Sequence, residues 1–184
     1  MATEAPVAEI GFAAPAFSLP GADGRVHTLS ELAGARGTVV AFICNHCPYV
    51  KAMLPRLVRD ARELASIGVS VIGINSNDAT AYPEDSFERM KELAPGLLFP
   101  YLYDESQSVA RAYDAVCTPD FFGFDAGLKL RYRGRIDAAR KDAAPAGMPR
   151  DLYDAMTMIA ETGQGPKTQL ASIGCSIKWR AGND

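Results

Sequence analysis

Residues 38–43 (TVVAFI) and 69–75 (VSVIGIN) are short, continuous apolar runs rich in β-branched side chains, the pattern of strands buried on both faces. Between them the period changes. Val50, Leu54, Leu57, Val58, Ala61, Leu64 and Ala65 share one helical face and Gly68 marks a stop, which predicts a helix from about residue 48 to 66, kinked at Pro55. Upstream, segments 16–19 and 25–29 flank the turn cluster Pro20-Gly21-Ala22-Asp23-Gly24 and predict a hairpin, after which Ser30 is expected to cap a one-turn helix over 31–33. Downstream, a helix over 86–93 ends at Pro95-Gly96 and a shorter strand follows over 97–103. Asp104 with Gln107 has the form of a capping box for a helix through Tyr113. Segments 120–124 and 129–133 around Asp125-Ala126-Gly127 predict a second hairpin. Leu152, Ala155, Met156 and Ile159 then define a last helix over about 149–161, and no period is visible from Gly163 onward.

Strand, helix, strand, a helix-bearing insertion, then hairpin and helix predict the α/β class: a central mixed β-sheet flanked by helices, with an N-terminal β-hairpin extension. A chain of 184 residues, 48% of them hydrophobic, can bury one good core. With no internal repeat or low-complexity segment, residues 1–184 are read as a single domain, with a core over about 10–165 and a C-terminal tail over 166–184. A net charge of −3 gives no reason to expect a nucleic acid or an anionic membrane as partner. Glu4, Pro6 and Glu9 break the basic-then-apolar order of a secretory leader, and no apolar run has the length of a membrane span, so a cytoplasmic protein is expected.

The chemistry concentrates where the first buried strand turns into the first long helix, at Cys44-Asn45-His46-Cys47. The first thiol, Cys44, is expected to lie near the unpaired N–H groups and positive end of the helix, which stabilise the nucleophilic thiolate. Two cysteines three positions apart can close on each other within one turn. The plainer alternatives are a packed pair of buried thiols or half of a zinc site. A zinc site needs two further ligands, and the other donors, His27, His46, Cys117 and Cys175, are scattered.

The order of elements, Cys44-x-x-Cys47 at a strand–helix junction and Thr118-Pro119 before a hairpin strand together resemble the thioredoxin superfamily. The entry Ala14-Pro15-Ala16-Phe17-Ser18-Leu19, followed by Leu29-Ser30-Glu31-Leu32, resembles its alkyl hydroperoxide reductase/thiol-specific antioxidant (redoxin) branch. Cys44-Asn-His-Cys-Pro-Tyr-Val, Cys117-Thr-Pro-Asp-Phe-Phe and Gly174-Cys-Ser-Ile-Lys-Trp are similar to a group of thioredoxin-like proteins carrying the Cys-Asn-His-Cys motif. The resemblance spans roughly residues 10–180. It implies a thioredoxin-like fold and a thiol–disulfide oxidoreductase, with Cys44 as the exposed attacking thiol and Cys47 as the resolving thiol beneath it. It also implies a cis-proline at Pro119 facing the pair, and Thr118 offering backbone groups to a substrate strand. The implied partners are thiol- or disulfide-containing proteins or small molecules and a thiol reductant such as a thioredoxin system, with no cofactor. Two departures stand out. Thr38 occupies the position six before the first cysteine where thioredoxins keep a buried carboxylate, and Ile43 replaces their tryptophan.

A partly charged His46 beside Cys47 would stabilise a thiolate at Cys44 and make the disulfide more oxidising; a solvated loop histidine is the alternative. Cys117, two residues before Pro119, is either an auxiliary thiol facing the pair or a small buried hydrophobe. Cys175 is either a resolving thiol or a packed tail residue anchored by Ile177 and Trp179, the latter being favoured. Arg135 is read as a strand-end charge rather than a peroxide-polarising group. The alternative function is a thiol-dependent peroxidase. Peroxiredoxins use Pro-x-x-x-Thr-x-x-Cys; aligned on Cys47, Val40 and Cys44 stand at the Pro and Thr positions. A metal chaperone pairing the two thiols with His27 is a third, weaker reading.

Overall fold

A computed structural model of the chain describes residues 2–6 and 9–182; Met1, Val7, Ala8, Asn183 and Asp184, which belong to the predicted 1–184 unit, lie outside the described residues. The elements run β1 (Ala2–Glu4), β2 (Ser18–Pro20), β3 (Val26–Thr28), α1 (Leu29–Leu32), β4 (Gly37–Phe42), α2 (Pro48–Ala65) and β5 (Val69–Asn75). A 3-10 turn at Pro83–Asp85 leads to α3 (Phe87–Leu93), then β6 (Tyr101–Tyr103), α4 (Ser108–Ala112), β7 (Cys117–Thr118) and β8 (Asp120–Asp125). The chain ends with β9 (Leu130–Gly134), α5 (Asp151–Thr162) and β10 (Ile173–Ser176).

The central sheet has the order β6-β5-β4-β8-β9. β4 runs parallel to β5 and β5 to β6, whereas β8 is antiparallel to both β4 and β9. It is the mixed, helix-flanked sheet expected, with β2 and β3 as the N-terminal hairpin. Successive strand residues point to opposite faces, so β4 feeds two cores. Val39 and Ala41 pack with Met53, Leu57 and Leu64 of α2 and with Leu152, Met156 and Ile159 of α5. Val40 and Phe42 pack on the other face with Ile72, Phe122, Phe124 and Tyr113. The aromatic rings of that second core meet edge to face, Phe42 and Phe122 at 5.7 Å and Tyr113 and Phe122 at 5.6 Å, the geometry the ring quadrupoles favour.

Local structure differs from the sequence reading at two helix caps and one strand. Thr28, not Ser30, caps α1, forming a reciprocal capping box with Glu31. Gln107 is the N-cap of α4 in the left-handed region (φ 64°) without a side-chain cap bond, while Asp104 reaches past it to accept from the Ala110 N–H at 2.9 Å. The strand expected over 97–103 shrinks to Tyr101–Tyr103, because a 3-10 turn at Ala94–Gly96 and Pro100, which has no N–H, precede it. The tail, patternless in sequence, contains β10, paired with β1 on one side and β7 on the other. Among the described residues, no helix is long and apolar enough to cross a membrane.

Candidate active site

β4 ends at Phe42 and its ladder is extended by one bond, from the Ile43 N–H to the Ile74 carbonyl. The next residues leave the sheet, and Cys47 is the N-cap of α2, with Pro48 at the first helical position where its missing N–H leaves nothing unpaired. The loop before β8 faces this junction. Cys47 Sγ donates to the Thr118 carbonyl at 3.2 Å, and Cys44 Sγ lies 3.4 Å from Thr118 Oγ1. The Thr118–Pro119 peptide bond is cis. The fold thus brings Cys44, Cys47, Thr118 and Pro119 together, with all four cysteines as free thiols.

Two expectations are corrected here. Cys44 is not exposed: it and Cys47 have 1% and 0% of their surface accessible. Strand β10 lies antiparallel on β7, with Cys175 opposite Thr118 and Ser176 opposite Cys117. The Thr118 edge read as a docking rail for a substrate strand is therefore paired within the chain itself. Gly174 permits this approach, since a Cβ there would stand 2.1 Å from the Thr118 carbonyl oxygen.

Asp85, on the 3-10 turn between β5 and α3, holds the loop. Its Oδ1 accepts from the backbone N–H groups of Asn45 (2.8 Å) and His46 (3.1 Å). Its Oδ2 accepts from Asn77 Nδ2 at 2.7 Å and His46 Nδ1 at 2.5 Å, which places the Nδ1 proton on the histidine because a carboxylate only accepts. Asn77 Oδ1 in turn accepts from the Lys178 N–H just beyond β10, and Asn75 Nδ2 donates to the Asp85 carbonyl. The His46 ring stacks on Tyr82 at 5.6 Å, and the Tyr101 hydroxyl donates to Asn45 Oδ1. Sequence reasoning missed Asp85, Asn77 and Tyr101. The run Asn75-Ser76-Asn77 at the carboxyl end of a central buried strand was the available signal, because ligand and catalytic sites gather at that end of such sheets.

These contacts set the charges on the thiols. A hydrogen bond from the Cys44 thiol holds Cys47 well below the ordinary thiol range, against burial; N–H groups of Val50 and Cys175 add to it. Cys44 is pushed up, first by donating that bond to Cys47, then by burial and by the Asp85 carboxylate. His46 was expected to lend positive charge to Cys44, but the histidine is bound to Asp85, so the thiol meets the pair rather than a lone cation.

Cys44, His46 and Asp85 offer three donor atoms within 4.8 Å of one another. Both Asp85 oxygens are already engaged by four donors, so a metal there would have to dismantle the loop. His27 sits on the hairpin with Asp23 and is no part of this cluster. Cys117 is fully buried and its thiol is raised by burial and by Asp120, the behaviour of a small core hydrophobe. Thr38 accepts from the Gly34 N–H at the opposite end of β4 and does not reach the thiols. Arg135 pairs with Asp151 at 2.5 Å, and Arg133 with Asp120 at 2.9 Å; neither donates to a cysteine.

Comparison with known proteins extends this picture. A search of curated proteins gave no match. An uncharacterised conserved protein from Geobacillus kaustophilus is 47% identical with a TM-score of 0.92, over 98% of this chain and 97% of that one. A hypothetical protein from Sinorhizobium meliloti 1021 is 42% identical with a TM-score of 0.88, over 97% and 99% of the two chains. The thioredoxin domain of a thiol-disulfide oxidoreductase from Bacteroides vulgatus shares the fold at 16% identity, with a TM-score of 0.62 over 84% of this chain and 99% of that one. Residues 10–133 match the AhpC/TSA family model, and with its thioredoxin-like sheet this chain belongs to the AhpC/TSA family, in the redoxin branch of the thioredoxin superfamily.

Proposed function

We propose that the protein is a thiol–disulfide oxidoreductase that cycles Cys44 and Cys47 between dithiol and disulfide. The observation that carries this reading is the two thiols meeting at Thr118, before cis-Pro119, with Cys47 at a helix N-terminus. The order of attack is the reverse of that expected from the resemblance. Cys47 stands at the helix N-terminus, which favours a thiolate, whereas Cys44 lies beside the Asp85 carboxylate. Cys47 thiolate attacks a substrate disulfide, releasing one substrate thiolate. Cys44 then attacks Cys47, releasing the second and forming the Cys44–Cys47 bond. Because the second thiol is built in, that closing step is effectively unimolecular.

Separate serine variants assign the roles. Cys47→Ser is expected to lose exchange with a disulfide reporter by roughly a hundredfold or more, and Cys44→Ser/Cys175→Ser to accumulate a mixed disulfide on Cys47 that intact-mass analysis detects. Unchanged exchange in a Cys44→Ser/Cys47→Ser double variant would remove the proposal.

Peroxidase chemistry is the weaker reading because neither Arg133 nor Arg135 donates to a thiol and the threonine position of the peroxiredoxin motif is Cys44. Hydrogen peroxide is accordingly expected to oxidise the reduced protein far more slowly than a disulfide reporter does, measured by stopped-flow mixing. A faster reaction with peroxide, leaving a sulfenic acid or disulfide on Cys47, would reverse the order of the two readings.

A further inference from the structure

Resting on that reading, we propose that Cys175 is the third exchange thiol of the site, carried by β10 to Cys47 so that the buried disulfide is reached from solvent through it. Four observations carry this. Strand β10 occupies the backbone edge of Thr118, the residue that binds both inner thiols. Cys175 is the residue directly opposite Thr118, whose carbonyl accepts from Cys47, and it packs against the core cluster that holds Cys44 and Cys47. Of the four thiols, Cys175 alone is partly exposed, whereas Cys44, Cys47 and Cys117 are closed off. The strand is also built to stay. Gly174 lets it lie against the Thr118 carbonyl, Ile177 is buried in the second core, and the Lys178 N–H is bound by Asn77.

The chemistry balances without another oxidant. Starting from the Cys44–Cys47 disulfide, the Cys175 thiolate attacks Cys47 Sγ. The Cys47–Cys175 bond forms, the Cys44–Cys47 bond breaks, and Cys44 leaves as a thiolate that takes up the proton Cys175 gave up. This is an isomerisation, and the protein gains and loses no electrons. Thr118 Oγ1, 3.4 Å from Cys44 Sγ, stands ready to donate to the leaving sulfur. A small thiol RSH, as its thiolate, then attacks Cys175; Cys47 leaves, and Cys175 carries R in a mixed disulfide. A second RSH attacks the R sulfur, giving RSSR and free Cys175. In sum, one disulfide and two RSH become a dithiol and RSSR. In the reduced protein burial, followed by its interaction with Cys47, pushes Cys175 up to about 11. Once Cys47 is in a disulfide its charge is gone, and that part of the elevation goes with it.

The test is reduction of the fully oxidised protein by reduced glutathione, followed by differential alkylation and peptide mapping. Cys175→Ser is expected to slow reduction of the Cys44–Cys47 bond by roughly tenfold or more, since the outer sulfur is gone and the inner pair stays covered. Oxidised Cys44→Ser is expected to yield a Cys47–Cys175 disulfide. Gly174→Ala/Cys175→Ser, in which the added Cβ forces β10 off the Thr118 carbonyl, is expected to regain a rate within about threefold of wild type by uncovering the pair. Reduction of Cys175→Ser at the wild-type rate overturns the proposal while leaving the Cys44–Cys47 reading intact. So does a Cys44→Ser protein with no Cys47–Cys175 bond. If wild type itself forms no Cys44–Cys47 disulfide, the function proposed above fails instead.

Discussion

Asp85→Ala is expected to lower the free energy of unfolding by about 3–5 kcal/mol and to expose the Cys44–Cys47 loop to alkylation. The reasoning starts from what the carboxylate holds. Asp85 is fully buried and accepts from two consecutive backbone N–H groups of the loop, from the Asn77 amide and from the His46 ring. Alanine leaves those donors unpaired in a closed site, at about 1–3 kcal/mol for each that finds no water. Asp85→Asn keeps one oxygen for the Asn45 and His46 N–H groups but turns an amide NH2 toward the Asn77 and His46 donors. Its loss is expected to be smaller, about 1–2 kcal/mol. The functional effect has a definite sign. Asp85 is one of the groups that push the Cys44 thiol up, so either variant lowers the Cys44 pKa and makes Cys44 a better leaving group. Urea unfolding and the pH dependence of iodoacetamide labelling, with Cys47 and Cys175 replaced by serine, read the two effects. An Asp85→Ala protein within about 1 kcal/mol of wild type would show that water, not the carboxylate, supports the loop.

That Asp85 escaped sequence reasoning shows where such reasoning stops. The strands over 38–43 and 69–75 and the helix after Pro48 were legible because each writes its own burial into a local period: both faces for the strands, one stripe for the helix. The thiol pair was legible because strand, tetrapeptide and helix are contiguous. Asp85 lies forty positions from Asn45, and nothing in Pro83-Glu84-Asp85 distinguishes a loop anchor from an ordinary acidic turn. β10 is harder still. Its four residues are too few to show alternation, and it is a strand only because β1 and β7, from distant parts of the chain, pair with its two edges. Cys44, which the resemblance implies is exposed, is buried beside Thr118 and Asp85, both distant from it in sequence. Contiguous chemistry is written locally, whereas accessibility is decided by segments far away in sequence.

Arg133→Met is expected to cost about 3–5 kcal/mol at neutral pH, less in mild acid, and little when combined with Asp120→Leu. Arg133 and Asp120 form an ion pair at 2.9 Å with 3% and 0% of their side chains accessible, and Arg133 lies over the Phe122 ring at 4.5 Å. Geometry leaves the pair only partly satisfied, since Asp120 Oδ1 and Arg133 Nε have no hydrogen-bond partner. Burial outweighs the arginine, raising the Asp120 carboxyl from 3.8 to about 6. A group whose folded pKa is raised contributes stability that is complete below its unfolded pKa and is lost as pH climbs through the folded one. Between pH 4 and 7 the wild type should therefore lose up to ~3 kcal/mol relative to Asp120→Asn, from about two pKa units at 1.36 kcal/mol each. Removing the arginine strengthens the dependence, because the ionised carboxylate then has no buried cation, whereas the protonated acid tolerates the loss. Replacing both partners by apolar side chains abolishes it. Unfolding free energies of wild type, Asp120→Asn, Arg133→Met and the double variant, measured from pH 4 to 7, decide the matter. An Arg133→Met penalty that stays the same across that range would mean the cost is lost packing on Phe122, not an uncompensated charge.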